Sequence, residues 1–152
     1  MSIRHAEITE LSTVERIVSE TIREIYPRYY PKGAVEFFLA HHSTERISSD
    51  IEARNVYIFC EYNAPIGTIT VSGNEVSRLF IMPLYQGKGY GGALMDFAEK
   101  LISESFEFAE LHASFPGKQM YLRRGYKEVD YRTAVTENGD VLCVDIMEKR
   151  FA

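Results

Sequence analysis

The chain has 152 residues, a length that suits one domain built around a proper hydrophobic core. With 45% hydrophobic and 26% charged residues it reads as an ordinary globular protein, and a formal net charge of −5 without any Lys/Arg cluster argues against general nucleic-acid binding. No signal peptide and no apolar run of membrane length is present, so a cytoplasmic protein is expected, with no membrane partner.

In chain order, residues 2–8 read as a short strand. Leu11, Val14, Ile17, Val18, Thr21, Ile22 and Ile25 keep one apolar face, which predicts a helix over 11–25. The prolines of Tyr26-Pro27-Arg28-Tyr29-Tyr30-Pro31 break it. A second helix is expected over 33–42, with Val35, Phe38 and Leu39 inward, and a third over about 44–53, after Ser43. Residues 55–62 and 66–72 alternate as strands around a hairpin at Asn63-Ala64-Pro65. Gly73-Asn74 makes another turn, and 75–82 form a further strand. A long helix over about 89–104, a strand over 108–113, a short helix over 116–124 and a strand over 126–135 follow. The turn Glu137-Asn138-Gly139-Asp140 leads into a last strand at 141–148. Cys60 and Cys143 lie in apolar strand-like runs without metal spacing, and read as two buried thiols.

The stretch that carries chemistry joins the strand at 75–82 to the long helix. Between them stands Gln86-Gly87-Lys88-Gly89-Tyr90-Gly91-Gly92. A helix start has unpaired backbone N–H groups and the positive end of the helix dipole, and glycines leave those groups open to a phosphate. Lys88 could add a positive charge. Gly87-x-Gly89-x-x-Gly92 also matches the dinucleotide fingerprint, which needs the first strand of a βαβ unit and an acid at the tip of the next strand. Here the turn comes past the middle of the chain, and Glu110 lies inside the next strand run, so that reading fails on context.

Read as Gln86-x-x-Gly89-x-Gly91, preceded by Leu79-x-Ile81-x-Pro83-x-Tyr85, the same stretch resembles the acyl-coenzyme A signature of the GNAT acetyltransferase superfamily. Tyr121-Leu122-Arg123-Arg124-Gly125-Tyr126 resembles that family's Tyr-x-x-x-Gly-Phe/Tyr motif, in the expected order. The resemblance implies one domain over 1–152 with an α/β (α+β) fold, a mixed and mostly antiparallel sheet flanked by helices. It implies acetyl-coenzyme A as cosubstrate, an amine as acceptor and no metal, with a homodimer left open. A non-catalytic acyl-coenzyme A-binding module that regulates a partner is the alternative.

The resemblance also distributes roles. Leu79, Phe80, Ile81, Met82, Gln86, Gly87, Lys88, Gly89, Tyr90, Gly91 and Gly92 would hold the cofactor. A backbone N–H near Ile81 or Met82, freed by a bulge, would bind the oxyanion. Ser114 stands where the family often has asparagine and could still make one contact. Tyr121 would act on the leaving thiolate. Reference values of about 8.5 for a thiol and about 10 for a phenol make full proton transfer uphill by roughly 2 kcal/mol, so Tyr121 either has a lowered pKa or mainly donates a hydrogen bond. Glu75 is the candidate general base by position. Tyr26, Tyr29 and Tyr30, beside Phe37 and Phe38, would wall the acceptor site. His41 and His42 are adjacent, point about 100° apart on a helix and cannot chelate one metal from one face. His112 sits mid-strand and reads as packed or hydrogen-bonded rather than catalytic.

Overall fold

The computed structural model describes all residues, Met1–Ala152. Seven strands form one sheet in the order β1-β2-β3-β4-β5-β7-β6. These are β1 (Ser2–His5), β2 (Val56–Glu61), β3 (Ala64–Ser72), β4 (Glu75–Ile81), β5 (Phe108–Ala113), β6 (Lys127–Val135) and β7 (Val141–Arg150). Only β4 and β5 run parallel. The helices are α1 (Leu11–Ile25), α2 (Lys32–His41), α3 (Thr44–Glu52), α4 (Tyr90–Ser103) and α5 (Phe115–Arg123).

The alternation of β2 divides the core. Val56, Ile58 and Cys60 face α1–α3, where Val14, Ile17, Val18 and Ile22 of the amphipathic α1 are buried. Tyr57 and Phe59 face the other side, against Leu94, Met95, Ala98 and Ile102 of α4. On that side the buried Glu99 carboxylate accepts from Lys149 Nζ at 2.7 Å, Tyr126 Oη at 3.1 Å and Arg124 Nε at 3.2 Å. Arg124 also reaches Asp96 at 2.7 Å. One carboxylate thus ties α4 to β7 and to the turn after α5.

Three expectations change. The β2–β3 turn is Tyr62-Asn63, with φ of 50° and 65°, because Glu61 already pairs with Ala64. A two-residue hairpin needs positive φ at both positions, which Asn tolerates. Pro65 therefore lies within β3, where it cannot donate to the ladder, and the register slips between Phe59 and Cys60. Cys60 is buried but Cys143 is exposed, since it pairs with Thr133 of the edge strand β6. No helix is long and apolar enough to cross a membrane.

β4 positions the site. It pairs with β5 only at Glu75↔Glu110 and Val76↔Leu111. Beyond Val76 the β3–β4 register shifts, and Arg78 sits there with φ of 46°. This bulge turns the rest of β4 away from β5 and opens a gap in the middle of the sheet.

Candidate active site

Met82 N–H donates to the Ile66 carbonyl at 2.8 Å, so it is committed to β3. In an antiparallel ladder neighbouring residues face opposite ways, which turns the Ile81 N–H and C=O into the gap. The Ile81 carbonyl accepts from the Gln86 side-chain amide at 2.9 Å. Of the two expected oxyanion donors, the ladder leaves Ile81 available and occupies Met82.

One cavity, of about 430 Å³, opens on the α4 start. Its lining includes Leu79, Phe80, Ile81, Gln86, Gly87, Gly89, Tyr90, Gly91, Gly92 and Ser114. Gly89 is the residue before α4, with φ of 85°, and Gly87 has φ of 78°. A side chain at either would meet no protein atom within 4 Å, so their outer faces are open to a ligand. The first helical bond runs from Ala93 N–H to the Gly89 carbonyl, leaving the N–H groups before it without helical partners. Met82 and Lys88 do not line this cavity. Met82 packs against the α1–α3 core, and the exposed Lys88 ammonium lies 5.7 Å from the centre of the Tyr85 ring. Arg123 lines it instead, a cation the motif reading passed over.

A second cavity, of about 340 Å³, lies on the other side of the gap, between α2 and the β5–β7–β6 part of the sheet. Phe37, Phe38, Leu142 and Val144 give it apolar walls, and His41, His42, Arg78, His112 and Arg132 line it as well. A side chain at Gly33 would run into Asn138, which shows how closely the β6–β7 hairpin rests on the start of α2. Of the expected acceptor wall, Tyr26 lines both cavities, Tyr29 only the glycine side and Tyr30 neither. Tyr30 is buried, and its hydroxyl accepts from the Phe115 N–H at 2.8 Å, which holds the start of α5 against the core. Glu75 lines this second cavity, but at about 3.3 Å per residue it stands roughly 15 Å along β4 from Phe80.

Arg78 is nearly buried and organises this side. It binds Asp50 of α3 at 2.6 Å and Thr70 Oγ1 at 3.3 Å, and its Nε donates to His42 Nδ1 at 3.2 Å. Burial and the Arg78 charge hold the His42 pKa down at about 3. His41 Nδ1 likewise faces an arginine, Arg46 NH1, at 3.0 Å, and burial with that charge lowers its pKa too. An arginine only donates, so each of these Nδ1 atoms accepts and each ring keeps its proton on Nε2.

The two cavities share Tyr26, Leu79, Phe80, Ser114 and Tyr121. At this junction Tyr26 Oη and Ser114 Oγ are 3.2 Å apart. The Tyr121 hydroxyl has no hydrogen-bond partner within the protein, and burial pushes its pKa up. Of the two ways Tyr121 could act, this disfavours a phenol with lowered pKa and leaves hydrogen-bond donation. Gly117, in the first turn of α5, packs on the Tyr121 ring so tightly that a Cβ there would lie 2.9 Å from it. Only a residue without a side chain fits beside the ring there, and the sequence signals this only by Pro116-Gly117 after a strand.

The fold recurs in solved structures. A GCN5-related N-acetyltransferase from Rhodopseudomonas palustris superposes with a TM-score of 0.89 at 20% identity, covering 99% of this chain and 95% of that one. PaiA N-acetyltransferase from Thermoplasma acidophilum, solved in complex with coenzyme A, gives 0.76 at 22% identity over 99% and 98%. YncA from Salmonella typhimurium, solved with its cofactor acetyl-CoA, gives 0.74 at 15% identity over 100% and 94%. At these identities the likeness is one of fold. No curated protein sequence matches this one. A family model described as an acetyltransferase (GNAT) domain matches residues 25–145, most of the chain and both sides of the gap, and the protein therefore belongs to the GNAT acetyltransferase family.

Proposed function

We propose that the protein transfers an acetyl group from acetyl-coenzyme A to the primary amine of a small molecule or peptide. The observation that carries this reading is the junction. One cavity offers backbone N–H groups and glycines to a pyrophosphate, the other offers aromatic walls to an acceptor, and Tyr121 stands between them. The second cavity, opening on the same junction, is what a purely cofactor-binding module would not need.

In this reading the cofactor's phosphates lie on the α4 start, and its thioester reaches the gap beside Ile81. The neutral amine attacks the thioester carbon from the acceptor side. The carbonyl π pair moves onto oxygen, and the Ile81 N–H receives the oxyanion. As the carbonyl re-forms the C–S bond breaks, and the Tyr121 hydroxyl donates its hydrogen bond to the thiolate. The surplus proton on the new amide nitrogen passes to sulfur, directly or through that hydroxyl. The products are an N-acetyl amine and free coenzyme A.

Two measurements test it. Acetyl-coenzyme A at about 100 times its dissociation constant should stabilise the fold by roughly 2.7 kcal/mol, with NAD and ATP doing less. A screen of amines, polyamines, aminoglycosides and peptides with acetyl-coenzyme A should release free thiol with at least one class. Stabilisation by NAD but not by acetyl-coenzyme A would overturn the cofactor assignment, and tight binding without any acetylation would restore the binding module.

A further inference from the structure

Three histidines line the acceptor cavity, and they are not equivalent. His41 and His42 each turn Nδ1 toward an arginine, Arg46 and Arg78, so that the nitrogen left to the cavity already carries a proton. Neither can accept one. His112 is backed by a carboxylate instead, with Nε2 3.5 Å from Glu110 Oε1. At 3.5 Å this is a charge contact rather than a hydrogen bond, and the carboxylate favours the tautomer that turns an N–H toward it, in which the Nδ1 lone pair is free. The other candidates fail on chemistry or reach. Arg78 and Arg132 stay protonated, burial raises the phenols of Tyr26 and Tyr121, and Glu75 lies at the far end of β4. His112 is two residues before the junction residue Ser114, roughly 7 Å along β5.

We propose that His112 is the general base of the reaction and Glu110 its positioning residue. The inference rests on the acetyl-transfer reading above. An acceptor amine arrives as an ammonium ion. Its N–H bond breaks, directly or through one water, and the proton goes to His112 Nδ1 while the electron pair stays on the amine nitrogen. That pair then forms the C–N bond at the thioester carbon. The imidazolium so formed faces the Glu110 carboxylate and gives its proton to solvent after the product leaves. No further reactant is required.

The surroundings agree with this role. Sheet register sets Glu75 of β4 and Glu148 of β7 in one row with Glu110, and Asp130 of β6 in one row with His112 through Ile146. Arg78, Arg132 and Lys127 also line this face, and the His112 charge helps to lower the pKa of His41.

The test uses the full chain with saturating acetyl-coenzyme A and 2-phenylethylamine, an amine matched to the aromatic wall, followed by thiol release against pH. His112→Gln should lower kcat/KM about 100-fold at neutral pH and abolish the acid limb that lies below the amine's own ionisation. Glu110→Gln should lower kcat with KM for acetyl-coenzyme A unchanged, a split that a merely structural role would not produce. An unaltered limb in a folded His112→Gln protein, or its loss in Glu75→Gln instead, overturns the proposal. A second measurement needs no acceptor. Long-range proton–nitrogen NMR of histidine-labelled protein with bound coenzyme A should show neutral His112 protonated on Nε2. A lone pair facing Glu110 overturns it as well. Absence of turnover by the wild-type protein with every amine would instead sink the acetyl-transfer reading and leave the NMR result to decide the tautomer.

Discussion

The two sides of the β4–β5 gap recognise by different means. On the glycine side the groups offered to a ligand are mostly backbone: N–H groups at the α4 start, glycines with positive φ and the splayed strand. On the other side they are side chains from α2, β4, β5, β6 and β7, set by ion pairs. The difference teaches how each side is specified. A backbone site needs particular residues at fixed spacing in one stretch. A side-chain site needs only that five elements come together, and its composition is free to change with the acceptor. Each side also has its own clamp, the Glu99 network on the glycine side and Asp50–Arg78–His42 on the other.

The clamps can be broken separately. Glu99→Ala leaves Lys149, Tyr126 and one face of Arg124 without a partner in a buried place, and should cost about 3–5 kcal/mol of stability. Asp50→Ala strands the buried Arg78, but Thr70 and His42 remain and Asp50 itself is a third exposed, so a loss nearer about 2 kcal/mol is expected. Urea unfolding of both variants checks the order. A larger loss for Asp50→Ala would mean that the acceptor side, not the α4 side, carries the fold.

Tyr121 belongs to both sides, so removing its hydroxyl should spare binding and strike the chemistry. Tyr121→Phe is expected to lower kcat by about 10²–10⁴-fold with KM for acetyl-coenzyme A little changed. Steady-state kinetics reads this directly. A loss under roughly threefold would give the thiolate's proton to water or another group.

The glycine side should answer to backbone substitution alone. Gly89 has φ of 85° and open space around its Cβ position, so Gly89→Val costs the fold about 1–2 kcal/mol in backbone strain. The valine would stand where a phosphate approaches. Losing one or two charge-assisted bonds, at about 1.5–3 kcal/mol each, should weaken coenzyme A binding about 100-fold, as calorimetry would show. Unchanged affinity in the folded variant would remove the phosphates from this loop.

The same contrast explains what the sequence made legible. Helix α1, the strand at 75–82, the glycine turn and Tyr121 were readable because each rests on local periodicity or spacing. The acceptor cavity was not. Tyr30 looked like part of its wall, but an aromatic residue carries no local mark that separates a wall from a hydrogen bond to Phe115 N–H. Arg78 lies 36 residues from His42 and 28 from Asp50 in sequence, and the three meet only because the β4 bulge brings Arg78 between the other two. One signal was present: Arg78 is the one charged residue in the run from Val76 to Ile81, which is apolar but for it and Ser77, and such a residue needs a buried partner.

The smallest expected effect sharpens the acceptor side. His42 is held neutral in the folded protein, with a pKa of about 3 against an ordinary value near 6.5. Above pH 6.5 the ring is neutral in both states and contributes nothing to the pH dependence. Below it, the unfolded chain takes up a proton that the folded one refuses, so stability falls as the pH drops from about 6.5 toward about 3. The slope is at most about 1.4 kcal/mol per pH unit, and therefore about 2 kcal/mol between pH 7.5 and 5. His42→Phe removes this loss, although it starts from a lower stability at pH 7.5 because Arg78 has one partner fewer. His41 shifts in the same direction but is present in both proteins, so its contribution cancels in the comparison. Urea unfolding of both proteins at the two pH values should then show the wild type losing about 2 kcal/mol more than His42→Phe. Equal losses would mean that the ring charges freely, that Arg78 does not hold its Nδ1, and that the acceptor side lacks the fixed Nε2–H donor described for it.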